Sequence, residues 1–407
     1  MSAEHPALNK VSTLVPAWDD QNHAFSVAFD VLRTAIDQQA FPAASIAVTH
    51  QGRMVALNAF GRFTFDAVSP QPTSATLFDL ASVTKAVATT TMAMILYERG
   101  LLELEAPVVG VVPEFGGQSD PRRASVTFRI LLAHSSGLPA YEKLFLRAHT
   151  RADLLQAAFT TPLTVDPGTR AEYSDLGFIL LATALERLAG EALGIFCQRE
   201  IFGPLAMTHT TFNPPAEVRA KIPPTADDGF RHKIIQGEVQ DENAYVLGGV
   251  AGHAGLFSTA KDLAVFANAL LQCAAATPAR GAGPVACGAG TPARGSATPP
   301  CGAGTPARVP LLRPETIALF TRRESEPAGT SRALGWDTPS SPSQSGNYFG
   351  PGSYGHLGYT GTSLWIDPSR QLSITLLTNR TWPDCANQAI KQVRPRFHDA
   401  VAEALRP

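Results

Sequence analysis

A chain of 407 residues that is 44 % hydrophobic, 8 % aromatic and 17 % charged carries enough apolar content to bury a large core, which excludes disorder throughout. Its 33 Lys and Arg against 35 Asp and Glu leave a formal charge of -2, so it has no basic field for nucleic acid or an anionic membrane surface, and a small-molecule or peptide substrate is the expected partner. Five cysteines over this length form no dense, even disulfide set, and a reduced compartment is expected.

The first 25 residues lack the basic start and apolar run of a secretory signal peptide, and no stretch reaches the roughly 18 consecutive apolar residues of a membrane span. The chain as it stands is therefore expected in the cytoplasm; a periplasmic location would need an export segment ahead of the given start. Phe25, Phe29, Leu32 and Ile36 recur at helical spacing behind Asp19 and Asp20, and Pro42 ends the pattern. Segments 45–50 and 53–60 flank Gln51-Gly52 and predict a β-hairpin. Helices are predicted over 82–99, closed by Gly100, over 174–189, closed by Gly190, and over 258–271, each opening on a residue able to cap it.

Residues 273–308 hold a tandem repeat of 14, opened by Cys273, Cys287 and Cys301, with TPAR ending each unit at Arg280, Arg294 and Arg308. Ala, Gly and Pro fill 24 of these 36 positions, so ordering entropy goes uncompensated and a solvated, disordered insert is expected. Duplication explains the cysteine spacing without a metal, whose sites use close pairs such as Cys-x-x-Cys. Beyond it, 363–366 and 371–378 read as strands around the turn 367–370, and a helix interrupted by Pro395 closes the chain. Strands at both ends with helices between predict an α+β fold. An antiparallel β-sheet flanked by helices is built from 22–81 and 309–407, with a mainly helical region over 82–272 inserted.

No Gly-x-Ser-x-Gly, His-Glu-x-x-His or Walker A run is present. What remains is Ser-x-x-Lys, which occurs twice. On a helix, residues i and i+3 share a face, so Lys85 in Ser82-Val83-Thr84-Lys85 would stand beside the Ser82 hydroxyl and help remove its proton. Ser258-Thr259-Ala260-Lys261 instead sits where a helix N-cap is due, before Asp262. Ser82 lies in the apolar run LFDLASVTKAVATTTMAMIL, whose only cation is Lys85, and a lone cation there is costly without a role or an escape to solvent.

Ser82-Val83-Thr84-Lys85, then Tyr173-Ser174-Asp175, then His356-Leu357-Gly358 before YTGTSLW at 359–365, follow the order and approximate spacing of the serine β-lactamase and penicillin-binding-protein family. The chain resembles its class C-like branch of class C β-lactamases, D-alanyl-D-alanine carboxypeptidases and carboxylesterases. LLAHSSGLPAY at 131–141 and GGVAGHAGLFSTAKDLA at 248–264 are similar too, and the resemblance covers roughly 22–405 apart from the repeat. It implies the β-lactamase/transpeptidase-like fold and an acyl-enzyme on Ser82, with Lys85 as partner and Tyr173 as general base, its phenolate favoured by the lysine charge. It further implies an oxyanion hole from the N–H groups of Ser82 and Tyr359, substrate contacts at Asp175, His356 and Gly358, and neither metal nor cofactor. A D-alanyl peptide or β-lactam amide is the implied substrate. A carboxylesterase is the near alternative, and a non-hydrolytic penicillin or muropeptide sensor is one of another class.

Two residues depart from the family pattern. Asp175 stands where Asn is usual, and once ionised it accepts hydrogen bonds without donating. Its plainer reading is a helix cap. His356 stands where many relatives carry Lys and, with an unperturbed pKa near 6.5, is largely neutral at pH 7. A substrate carboxylate is then held less firmly than by a fixed cation; the plainer reading is a hydrogen-bonded strand residue. His134 and His253 are expected to be structural, and Gly358 and Gly361 serve either close backbone approach to substrate or strand geometry.

Overall fold

The computed structural model describes residues 14–117, 120–275 and 311–406. Six strands form the central sheet: β1 (Val15–Pro16), β2 (Ala43–His50), β3 (Arg53–Gly61), β4 (Tyr354–Leu357), β5 (Ser363–Asp367) and β6 (Leu372–Thr378), in the spatial order β1-β3-β2-β6-β5-β4. All pairings are antiparallel except that of the short edge strand β1 with β3. Gln51 and Gly52, with φ of 50° and 75°, make the expected two-residue turn, in the left-handed geometry that matches hairpin twist. The two ends of the chain meet where β2 pairs with β6, from Leu372 opposite His50 to Thr378 opposite Ala44.

Five helices frame the sheet: α1 (Ser26–Asp37), α2 (Thr91–Glu98), α3 (Asp175–Ala189), α4 (Ala260–Ala275) and α5 (Ile390–Ala404). α1 and α5 pack together over one face, where Phe29, Leu32, Trp365, Ile374 and Phe397 form their own apolar cluster. On the opposite face α4 lies against β2 and β6 and joins the larger core that runs through α2 and α3. Because both faces are covered, every residue of β6 is buried, Ser373 and Thr375 as fully as Leu372 and Ile374.

The helix boundaries follow their caps. Ser174 Oγ accepts the N–H of Gly177 at 3.1 Å at the start of α3, and Gly190, φ 65°, ends it. Thr259 Oγ1 accepts the N–H of Asp262 at 3.1 Å, so the second Ser-x-x-Lys is a helix start with Lys261 exposed. α4 runs on to Ala275, placing Cys273 inside the helix and buried rather than at the head of the insert, because its apolar stripe continues through Leu270 and Leu271. The rest of the repeat, 276–308, lies outside the described residues. The mainly helical stretch also contributes two strands, Thr211–Phe212 and Leu256–Ser258, to a three-stranded sheet with Phe78–Asp79, pieces too short to show a period in sequence. Among the described residues no helix is long and apolar enough to cross a membrane.

His398 on α5 is fully buried between the rings of Phe349 and Phe397, each 5.9 Å away. Burial, then the Arg394 charge, pushes its pKa down to about 3. With the folded value below the unfolded one near 6.5, its stabilisation is complete above pH 6.5 and is lost as the pH falls toward 3. Between pH 6.5 and 5 this residue is expected to remove about 2 kcal/mol of unfolding free energy. Urea titrations of His398→Leu should show a correspondingly flatter acid slope; a slope equal to that of the unsubstituted protein would refute the assignment.

Candidate active site

The site begins at a tight turn. Asp79 Oδ1 accepts the N–H of Ala81 at 2.8 Å and Oδ2 accepts that of Gln240 at 2.7 Å, and burial pushes this carboxyl up to about 6 against those two donors. Ala81 is held at φ 45°, a left-handed conformation that costs a residue with a side chain about 1 kcal/mol or more. Ser82 follows immediately. The helix it opens is wound wide over Lys85–Thr90 before α2 resumes normal pitch, a local widening frequent at functional sites.

Lys85 is fully buried, and its three ammonium protons have three acceptors: Ser82 Oγ at 3.0 Å, Asp175 Oδ1 at 2.6 Å and the His253 carbonyl at 3.1 Å. Burial pushes its pKa down, but the Asp175 carboxylate and the Tyr173 phenol outweigh that and hold it above the ordinary lysine value. The lysine is therefore charged. Asp175 is not the cap of α3, a role Ser174 fills; as the first residue of that helix it turns its carboxylate to Lys85. The acceptor-only character expected of Asp175 is spent on an ion pair inside the site.

Tyr173 completes the cluster. The Lys85 ammonium lies 4.7 Å from its ring centroid, and Lys85 and Ser82 are the neighbours that favour ionisation of its hydroxyl. Burial raises the phenol pKa, Lys85 opposes, and Asp175 adds to the rise, leaving it above the ordinary tyrosine value. Burial, with Asp175 adding to it, thus works against the phenolate that the lysine charge favours. His134 lies tilted against the ring with centroids 4.7 Å apart, stacks on Phe178 at 4.8 Å, and accepts the Ser174 N–H at Nδ1, 3.0 Å. It therefore buttresses Tyr173, while His253 offers the site its carbonyl and ties its ring to Asp241, 2.9 Å away.

The third wall is the end of β4 and the loop after it. Thr360 Oγ1 donates to the Asp79 carbonyl at 2.8 Å and Thr362 Oγ1 to that of Leu80 at 2.9 Å, stapling 358–362 onto the turn before Ser82. A Cβ at Gly358 would lie 2.4 Å from the Leu80 oxygen and 1.9 Å from Thr362 Oγ1, so this approach requires glycine. Tyr359 is 49 % exposed, with its carbonyl accepting from Arg380 Nε at 2.7 Å. Among the described residues its N–H, like that of Ser82, donates to no other group. His356 is buried, its Nδ1 2.8 Å from the Leu357 carbonyl and its ring 6.1 Å from that of Tyr173. Burial, then the Lys85 charge, lowers its pKa to about 3. It is neutral at any working pH, beyond what its sequence position alone implies.

Ser82, Lys85, Tyr173 and Asp175 thus form one cluster, with His356 at its edge and Gly358 and Tyr359 on the stapled loop. Sequence reasoning missed Arg332, whose guanidinium stands 5.2 Å from the Tyr173 ring centroid, and the bracing by Asp79 and Arg380. None of these sits in a motif. A cavity of about 990 Å³ lined by Arg151, Glu186, Ile195 and Phe212 contains none of the cluster, so concavity alone does not mark the site.

The family model described as Beta-lactamase matches residues 28–394. An Escherichia coli (strain K12) protein named "Putative D-alanyl-D-alanine carboxypeptidase" is 30 % identical over 373 residues, spanning 84 % of this chain and 79 % of its own. The "N-acetylmuramyl-L-alanine amidase" of Bacillus subtilis (strain 168) is 31 % identical over 376 residues, with 84 % and 77 % covered. Among solved structures, "EstCE1, a hydrolase with promiscuous acyltransferase activity" superposes with a TM-score of 0.70 at 19 % identity, covering 94 % of this chain and 99 % of that one. The chain belongs to the Beta-lactamase family and is a serine hydrolase with its α+β fold.

Proposed function

We propose that this serine hydrolase works through an acyl-enzyme on Ser82 and that its substrate is a D-alanyl peptide. The observation that carries the reading is the 3.0 Å contact between a fully buried, charged Lys85 and Ser82 Oγ. Since the ammonium donates to that oxygen, the serine proton is free to point toward Tyr173, the group that receives it as Ser82 Oγ bonds the acyl carbon. The N–H groups of Ser82 and Tyr359 then face the oxyanion, each donor contributing on the order of 3 kcal/mol at the transition state. The proton passes on to the leaving amine, and water releases the acyl group. The names of the two relatives support a substrate from peptidoglycan chemistry.

One observation favours a second reading, a carboxylesterase. His356, in place of a lysine, carries no charge with which to hold a substrate carboxylate. Assaying a D-Ala-D-Ala peptide, nitrocefin and a p-nitrophenyl ester at equal enzyme concentration separates the readings. Release of D-alanine with the highest kcat/KM is the expected result; fast ester cleavage with no D-alanine released would establish the esterase. Stoichiometric penicillin labelling with no turnover of any substrate would point to a sensor.

A further inference from the structure

Tyr173 is flanked by two cations, and one of them lies outside the three motifs. Six polar or charged groups face it: Ser82 and Lys85 from the nucleophile turn, His134 tilted against its ring, Asp175 from α3, His356 from β4, and Arg332 from the segment before β4. Lys85 is paired with Asp175 at 2.6 Å, and both histidines are held neutral by burial. The second cation beside the phenol is Arg332, itself paired with Asp337.

Its guanidinium lies 5.2 Å from the Tyr173 ring centroid, with the side chain 21 % exposed, and Asp337 Oδ1 holds one terminal nitrogen. The tether is built into the backbone. Arg332 and Asp337 face each other in an antiparallel bridge, and Asp337 exchanges hydrogen bonds of 2.8 and 2.9 Å with Gly355, the neighbour of His356. Arg332 is thereby fixed to the edge of the sheet that carries His356, and four of its five N–H donors remain after the Asp337 contact. Its charge also bears on His134 and His356, the two rings beside Tyr173.

We propose that Arg332 is a positioning residue for Tyr173, its guanidinium supplying from a neighbouring segment the positive charge that His356 lacks and stabilising the ionised phenol that takes the serine proton. The inference rests on the reading of Tyr173 as general base. In the step concerned, the Ser82 O–H bond breaks, its proton goes to the phenolate oxygen, and the Ser82 Oγ electron pair forms the bond to the acyl carbon. The proton then moves to the leaving group, so no co-reactant is needed.

The test compares Arg332→Met, Arg332→Lys and Tyr173→Phe in the full chain, using penicillin acylation and ester turnover from pH 5.5 to 10. Removing a cation disfavours the phenolate, so the rising limb of kcat/KM should move up by about one pH unit in Arg332→Met. That is about a ten-fold loss at pH 7 and throughout the range below the phenol pKa. Arg332→Lys should restore most of the rate and the limb. Equal losses in both variants with an unmoved limb would reduce Arg332 to packing and overturn the proposal. A KM increase confined to carboxylate-bearing penicillin, with the uncharged ester unaffected, would overturn it in favour of a substrate anchor. Tyr173→Phe reports separately on the underlying reading: if it acylates at the full rate, Tyr173 is not the base, whatever Arg332 does.

Discussion

Ser82→Ala is expected to abolish turnover and covalent labelling by penicillin or a fluorophosphonate probe, a loss of about 10⁴-fold or more. No neighbouring hydroxyl can take over. Thr84 Oγ1 is engaged with the N–H of Leu256 at 3.1 Å and Thr89 Oγ1 donates to the Gly252 carbonyl at 2.7 Å. The loss should come without unfolding, because Lys85 keeps Asp175 and the His253 carbonyl as partners after the serine oxygen is gone. The change in stability should stay within about 1 kcal/mol, the size of one net hydrogen bond. Removing the hydroxyl also leaves the strained Ala81 turn in place, since Asp79 and not Ser82 holds it. Intact-protein mass spectrometry after probe treatment, beside a urea melt, checks both halves. A variant that still gains one probe mass would move the nucleophile elsewhere.

The parts of this arrangement legible in sequence are those written in local order. The hairpin at Gln51-Gly52, the Ser174 cap and Gly190 stop of α3, and the Thr259 start of α4 each depend on a few adjacent residues, and each forms where expected. Lys85 was conspicuous because a single cation in a long apolar run must find a partner. Which partner it finds depends on α3, 90 residues away, so a Lys85–Asp175 ion pair could not be read from the spacing. The same holds for Tyr173. Its motif is plain, but its ionisation is set by burial, Lys85 and Asp175, and Arg332 reaches its ring only because Asp337 bridges to Gly355. Gly358 was open between substrate approach and strand geometry; its contact with Leu80 could be seen only once the two ends of the chain were brought together.

Lys85→Met should cost at least about 10³-fold in acylation, because the group that contacts Ser82 Oγ and moderates the phenol is lost at once. Unlike Ser82→Ala it should also destabilise, by about 3 kcal/mol, since Asp175, only 15 % exposed, is left as an unpaired charge. The double variant Lys85→Met/Asp175→Leu removes both charges and should regain most of that stability while remaining inactive, which separates the pair's catalytic part from its folding part. Asp175→Asn should behave in the opposite sense. It keeps the shape of the side chain and frees the Lys85 charge, and because Asp175 raises the Tyr173 pKa, its neutralisation should move the rising limb of kcat/KM to lower pH. Thermal melts and pH–rate profiles on the three variants decide the matter. A double variant that recovers activity would show that the ion pair is dispensable for acylation, and a limb that moves up in Asp175→Asn would mean that Asp175 rather than the phenol carries the proton from Ser82.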